Sequence, residues 1–267
     1  MSIHRARRAL GGAACALLLA ALLAGCARLG SEQAGPVMTK TDAGTTTALP
    51  VSEVAARKNA LARFVHAVPG LAAVDLYAGD ARAFEGAAYK STSAYRELPA
   101  ASAAYRLLLA GQATAQPLAE ETKGLGTGRH HTIVAVPARP GLLSKEGGVE
   151  LRFLTDEFEV PAAGKARVRV FNASPDLDEV DLYAAGRAEP LVKGAKFGEA
   201  AAFADAEPAG AGLELRRAGE NITTLVVPGL KVEAGRLYTI FVVGGTKGAA
   251  SLEAFAVEDW LGAPPAR

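Results

Sequence analysis

Three of the four histidines, two Asp-x-Tyr pairs and one of the two cysteines are the residues in this chain whose types and spacing could do chemistry. His66, His130 and His131 could in number ligate a zinc ion. On a strand, however, His130 and His131 point to opposite faces, so one site cannot easily use both. Asp75 and Asp181, each followed two residues on by Tyr77 and Tyr183, offer a repeated carboxylate and hydroxyl. No second carboxylate or base repeats beside them, so we read them as structural: a carboxylate taking up turn amides or a cross-strand arginine, and a hydroxyl at the sheet rim. Pro175–Asp181, PDLDEVD, holds four acids in seven residues, enough oxygen for calcium, but it has neither the glycine nor the glutamate of an EF-hand. The glycines of Gly124–Gly128 precede a strand, whereas a phosphate cradle follows one and opens a helix. No G-x-S-x-G elbow is present. The expectation is a protein without cofactor or catalytic set.

Cys26 carries a different chemistry. The chain opens with Arg5, Arg7 and Arg8, followed by the apolar run GGAACALLLAALLAG, of secretory length and short for a bilayer span. The run ends Leu23-Ala24-Gly25-Cys26, which resembles the bacterial lipobox. Small residues at Ala24 and Gly25 admit the chain to a peptidase, and the Cys26 thiol takes the diacylglyceryl group. This predicts a signal peptide over 1–25 and a lipid anchor at Cys26. Each buried CH₂ of such an anchor contributes about 0.8 kcal/mol. Ala27 after the cysteine resembles a signal for the outer membrane if the host is Gram-negative. Cys15 would leave with the signal, so no disulfide framework is expected. Formal net charge is +1, and without the three leader arginines the balance is slightly acidic. That argues against a nucleic-acid partner.

The elements that must position these residues are written twice. Arg63–Ala78, RFVHAVPGLAAVDLYA, aligns without gaps with Arg169–Ala184, RVFNASPDLDEVDLYA, with nine of sixteen positions identical. Gly128–Val136, GRHHTIVAV, aligns with Gly235–Val243, GRLYTIFVV, and Tyr89 and Tyr95 align with Phe197 and Phe203. Leu151–Leu154 is set against Leu252–Phe255. A period near one hundred residues means tandem domains, not a solenoid. His66 in the first copy stands where Asn172 stands in the second, and both side chains suit backbone hydrogen bonds at a strand exit.

Alternation in Val-Asp-Leu-Tyr, β-branched runs such as LYTIFVV, and turn residues every 8–15 positions predict strands throughout. The alanine-rich stretches 98–104 and 199–206 are the places where a helix is most expected, with a short helix also near Val54–Leu61. The expected organisation is a signal over 1–25, a lipidated flexible tether over 26–57, β-sandwich domains over 58–160 and 161–260, and a tail over 261–267. The joint at Val160–Gly164 leaves open whether the domains are fixed or hinged.

His/Asn-Ala-x-Pro, then Val-Asp-Leu-Tyr, an aromatic pair, and Gly-Arg-x-Tyr-Thr-Ile together resemble the bacterial domain-of-unknown-function family 4397. The resemblance covers roughly 60–160 and 161–260. Val68 and His131 depart from the pattern that Ser174 and Tyr238 keep. It implies two immunoglobulin-like or transthyretin-like β-sandwiches, an all-β chain, and no established activity. The functional expectation is an envelope lipoprotein held to the membrane by the Cys26 lipid, with an envelope protein or a polysaccharide as partner. The alternative is a metal-dependent or glycan-active enzyme with its site between the domains.

Overall fold

The computed structural model describes residues 37–40, 46–49, 59–139, 148–208, 212–227, 229–245 and 250–259. The signal, the lipobox Leu23–Cys26 and the tail lie outside them. Every regular element among the described residues is a strand. In the stretch read as a flexible tether, β1 (Val37–Lys40) and β2 (Thr46–Leu49) pair as an antiparallel ribbon. A two-stranded ribbon alone is marginal in water.

The first copy contains β3 (Asn59–His66), β4 (Val74–Ala78), β5 (Ala81–Ala87), β6 (Arg96–Pro99), β7 (Ala103–Leu109), β8 (Ala119–Lys123), β9 (His130–Pro137) and β10 (Val149–Asp156). The second contains β11 (Ala166–Asn172), β12 (Glu179–Ala184), β13 (Val192–Lys196), β14 (Ala204–Ala206), β15 (Leu213–Arg217), β16 (Thr223–Val227), β17 (Leu237–Val243) and β18 (Glu253–Asp259). Each forms two four-stranded sheets in the same order. The first copy has β10-β9-β3-β6 and β5-β4-β7-β8, and the second has β18-β17-β11-β14 and β13-β12-β15-β16. The central pairs β3–β9 and β11–β17 are parallel, and the remaining pairs are antiparallel.

The alanine-rich stretches are strand and turn, not helix: 98–104 spans the end of β6 and the start of β7, and 199–206 ends in β14. Alanine's helix propensity is a weak prior, and the small side chain is used here to let strands lie against the core. Residues from Asn59 onward in the proposed Val54–Leu61 helix belong to β3; the rest of it lies outside the described residues.

Three apolar layers stack through the body. Phe64, Leu76, Leu107 and Ile133 fill the first sandwich, and Val170, Leu182, Leu215 and Ile240 fill the second. The residues next to them in sequence point the other way. Val65, Val134, Phe171 and Phe241, with Val136, Leu154 and Val243, pack the first copy's β3–β9 sheet against the second copy's β11–β17 sheet. These inner sheets are therefore covered on both faces. That is why β9 is buried along all but its last residue and β17 along its whole length, where a half-exposed strand would alternate. A fully buried Val, Leu or Phe contributes about 1.5–3 kcal/mol. Seven of them give the layer between copies a stabilisation on the order of 10 kcal/mol, comparable to a whole domain's net stability. The two copies are fixed to each other, not hinged.

Register also corrects one sequence alignment. Leu151 opposes Ala135 on β9, and Ala254 opposes Val242 at the equivalent place on β17. Leu151 thus corresponds to Ala254, two residues beyond the expected match at Leu252. A shift of two keeps every side chain on its own face, so hydrophobic pattern could not detect it.

Candidate functional site

The repeated polar residues act first on their own backbone. His66 ends β3, and its Nδ1 accepts from the Val68 amide at 3.2 Å while Nε2 faces the Ala72 carbonyl at 3.3 Å. Asn172 ends β11 and does the same with an amide. Its Oδ1 accepts from the Ser174 amide at 3.0 Å, and its Nδ2 donates to the carbonyls of Leu177 at 2.9 Å and Ala195 at 3.3 Å. Each side chain is wholly buried and ties down the proline turn that follows it. Burial holds His66 below its ordinary pKa, against the opposing pull of the Ala72 and Leu71 carbonyls. With Nδ1 accepting from Val68, the tautomer that satisfies both contacts carries its proton on Nε2, toward the Ala72 carbonyl.

Asp75 lies in the first outer sheet. Its carboxylate accepts from the amides of Gly86 at 2.7 Å and Gly111 at 3.1 Å, with Arg82 at 3.6 Å. Burial would raise its pKa, but the two amides and then Arg82 outweigh burial and hold it below the usual carboxylate range. Asp181 accepts from the Gly194 amide at 2.8 Å. Tyr77 lies under the Arg106 guanidinium at 5.8 Å and Tyr183 under that of Arg216 at 4.0 Å.

The histidines do not converge. His66 ends β3 beside Ala135, near the far end of β9, while His130 opens β9 beside Leu61. The His130 ring packs against Tyr95 and Phe158. Among the described residues no group of three His, Cys, Asp or Glu side chains gathers in metal-binding range. Within PDLDEVD, Asp181 turns to the Gly194 amide and Asp178 pairs with Arg139 of the first copy at 2.9 Å.

The most concentrated polar cluster is one the sequence reading passed over. Arg63 and Arg169 are buried in the middle of the inner strands. Arg63 pairs with Asp259 of the second copy, and Arg169 pairs with Asp156 of the first at 2.5 Å. Each arginine also donates from Nε to a threonine of its own copy at 2.8 Å, Arg63 to Thr132 and Arg169 to Thr239. Each threonine in turn donates at 2.6 Å to its own copy's aspartate, Thr132 to Asp156 and Thr239 to Asp259. The six side chains close a ring with two-fold character: Arg63, Thr132, Asp156, Arg169, Thr239, Asp259. Tyr95 lies 5.0 Å from the Arg63 guanidinium and Phe203 lies 4.5 Å from that of Arg169, so the aligned aromatic pair has one task. The Tyr95 hydroxyl adds a bond to Asp156 at 2.8 Å. Burial would raise the Asp156 pKa, but Arg169 and then Arg63 outweigh it and hold the carboxyl below its ordinary range. A signal did exist in the sequence: Arg63/Arg169 and Thr132/Thr239 are identical between copies, and a charge repeated inside an apolar strand needs a buried partner.

At the end of the body where β3, β9, β11 and β17 finish lies a groove of about 380 Å³. Equivalent residues from the two copies line it, Pro69 with Pro175, Gly70 with Asp176, and Pro137 with Gly244. The turns held by His66 and Asn172 form its two sides. The first sandwich strand, β3, begins with Asn59 at its opposite end, and β18 ends at that same far end, where Asp259 opposes Leu237.

Comparison with known proteins places these features in a family. No curated protein matches the chain. A crystal structure of a "putative cell adhesion protein" from Bacteroides eggerthii matches at 11% identity, covering 76% of this chain and 97% of that one, with a TM-score of 0.19, and at that score it bears on neither fold nor function. The profile of the domain of unknown function DUF4397 matches twice, over residues 60–183 and 166–267. The two matched stretches take in both strand sets and both proline turns, and the chain belongs to the DUF4397 family.

Proposed function

We propose that this protein is a non-enzymatic display module of the bacterial envelope, held by a lipid on Cys26, which offers the groove between its two proline turns to an envelope protein or polysaccharide. One observation carries the reading. The same turn from each copy, lined in equivalent pairs, converges at the end of the body opposite Asn59, where the chain arrives from the proposed anchor. A tether attached at one end leaves the other end outermost, and a rigid body with no hinge between copies holds the two turns in a constant relation. The repeated Asp75, Asp181, His66 and Asn172 support the reading because their polar atoms bond their own backbone amides and carbonyls.

The test is crosslinking and pull-down from intact cells with wild-type chain, Cys26→Ser and Asp176→Arg. Cys26→Ser is expected to leave the membrane fraction. Asp176→Arg, at the groove, is expected to stay there and lose captured partners. Normal membrane fractionation of Cys26→Ser would overturn the anchor, and an unchanged set of partners with Asp176→Arg would overturn the groove as the binding face.

A further inference from the structure

The two sides of the groove are held by chemically different latches performing one task. Asn172 accepts an amide with Oδ1 and donates with Nδ2, and both abilities are independent of pH between 4 and 9. His66 accepts the Val68 amide only while Nδ1 has no proton. When the ring takes a second proton, Nδ1–H and the Val68 N–H become two donors facing each other. The bond at Nε2 to Ala72 survives and the bond at Nδ1 cannot. We infer that the Val68–Leu71 side of the groove is a pH-sensitive turn, latched by neutral His66 and released on its protonation, while the Pro175 side is indifferent to pH.

No acidic side chain is among the groups that act on the ring. The carbonyls of Leu71 and Ala72 face it from its own turn. Ala135 lies beside it on β9. Tyr89 meets it edge-on at 6.2 Å, and that hydroxyl, pushed up to about 12, stays neutral. Lys90 and Glu253 lie beyond Tyr89, paired with each other, with the ammonium 5.5 Å from the tyrosine ring. Burial lowers the His66 pKa from the ordinary histidine value of about 6.5, so release belongs to the acid side of that value. The consequence for a bound partner rests on the groove being the binding face; the opening of the turn does not.

Hydrogen–deuterium exchange of the full chain, corrected for the intrinsic pH dependence of exchange, tests this between pH 7.5 and 5.0. The peptide covering 66–73 is expected to lose protection about 3- to 10-fold, the worth of one net hydrogen bond. The peptide covering 172–179 should hold constant as the internal control. His66→Asn is expected to abolish the loss, and Asn172→His to transfer it to 172–179. Because the second variant is read on the other turn, a folding failure of His66→Asn leaves the test intact. The inference is overturned if wild-type 66–73 keeps its protection, if His66→Asn still loses it, or if both peptides loosen together. None of these readouts involves a partner, so they are separate from the failure of the groove as a binding face.

Discussion

Arg63 of the first copy and Asp259 of the second form a buried ion pair, 196 residues apart in the chain, and Arg169 and Asp156 form its mirror. Such pairs stabilise weakly compared with well-packed apolar groups, yet removing one partner strands a charge in a dry layer, which costs about 3–5 kcal/mol. Arg63→Ala and Asp259→Ala are each expected to lose that much by chemical denaturation. The double variant should lose much less than the sum, because no charge is left stranded. A loss below about 1 kcal/mol for either single variant would show that the ring is not what holds the copies in register.

One chemical change should have opposite signs at two tyrosines. Among the described residues the Tyr105 hydroxyl is buried in the first core without a hydrogen-bond partner, and Leu213 holds the equivalent place in the second copy. Tyr105→Phe is expected to stabilise by about 1 kcal/mol, since it removes an unsatisfied group. Tyr95→Phe takes a bond from Asp156 and should destabilise by about 1 kcal/mol, and no more, because Phe203 already performs the stacking task at the equivalent site. Thermal melts of the two variants moving in the same direction would contradict this accounting.

Lys90 has a φ of +63°, where the second copy uses Gly198 at +76°. A left-handed non-glycine costs about 1–2 kcal/mol. Its compensations are a half-exposed pair with Glu253 and the Tyr89 ring, together worth about as much. Lys90→Gly is therefore expected to change stability by less than about 1 kcal/mol. Gly198→Ala should lose more than that, because its Cβ would come within 2.8 Å of the Arg152 Nε as well as straining the backbone. Equal losses in the two variants would refute the comparison.

The acid limb of stability carries the signature of Asp75. Its folded pKa lies below its unfolded value, so its contribution is complete above about pH 4 and is lost as pH falls through the folded value. Asp75→Asn keeps one amide acceptor and loses the charge. It is expected to be less stable than wild type by about 1.5–3 kcal/mol at pH 7. The gap should close below about pH 4, as the wild-type carboxylate takes up its own proton. A gap that stays constant down to pH 2 would mean the charge is not what the Gly86 and Gly111 amides require.

Duplication, strand content and turn positions were written locally. They follow from the matched sixteen-residue blocks, from residues alternating at period two, and from proline and glycine at fixed offsets. These signals depend on neighbours in the chain, and neighbours are what a sequence displays. The closed ring and the third apolar layer were not legible in the same way. Phe171 and Phe241 announce that both faces of a strand are buried, but not by what. Arg63 and Thr132 announce a buried polar task, but the Arg63 partner Asp259 was hidden by a two-residue slip that leaves the hydrophobic pattern unchanged. Period two fixes which face a side chain takes and is silent on register along the strand. The sequence by itself therefore determined that there are two like sandwiches. Only packing in three dimensions decided that they stand back to back as one body, with a charged ring between them and their two proline turns at one end.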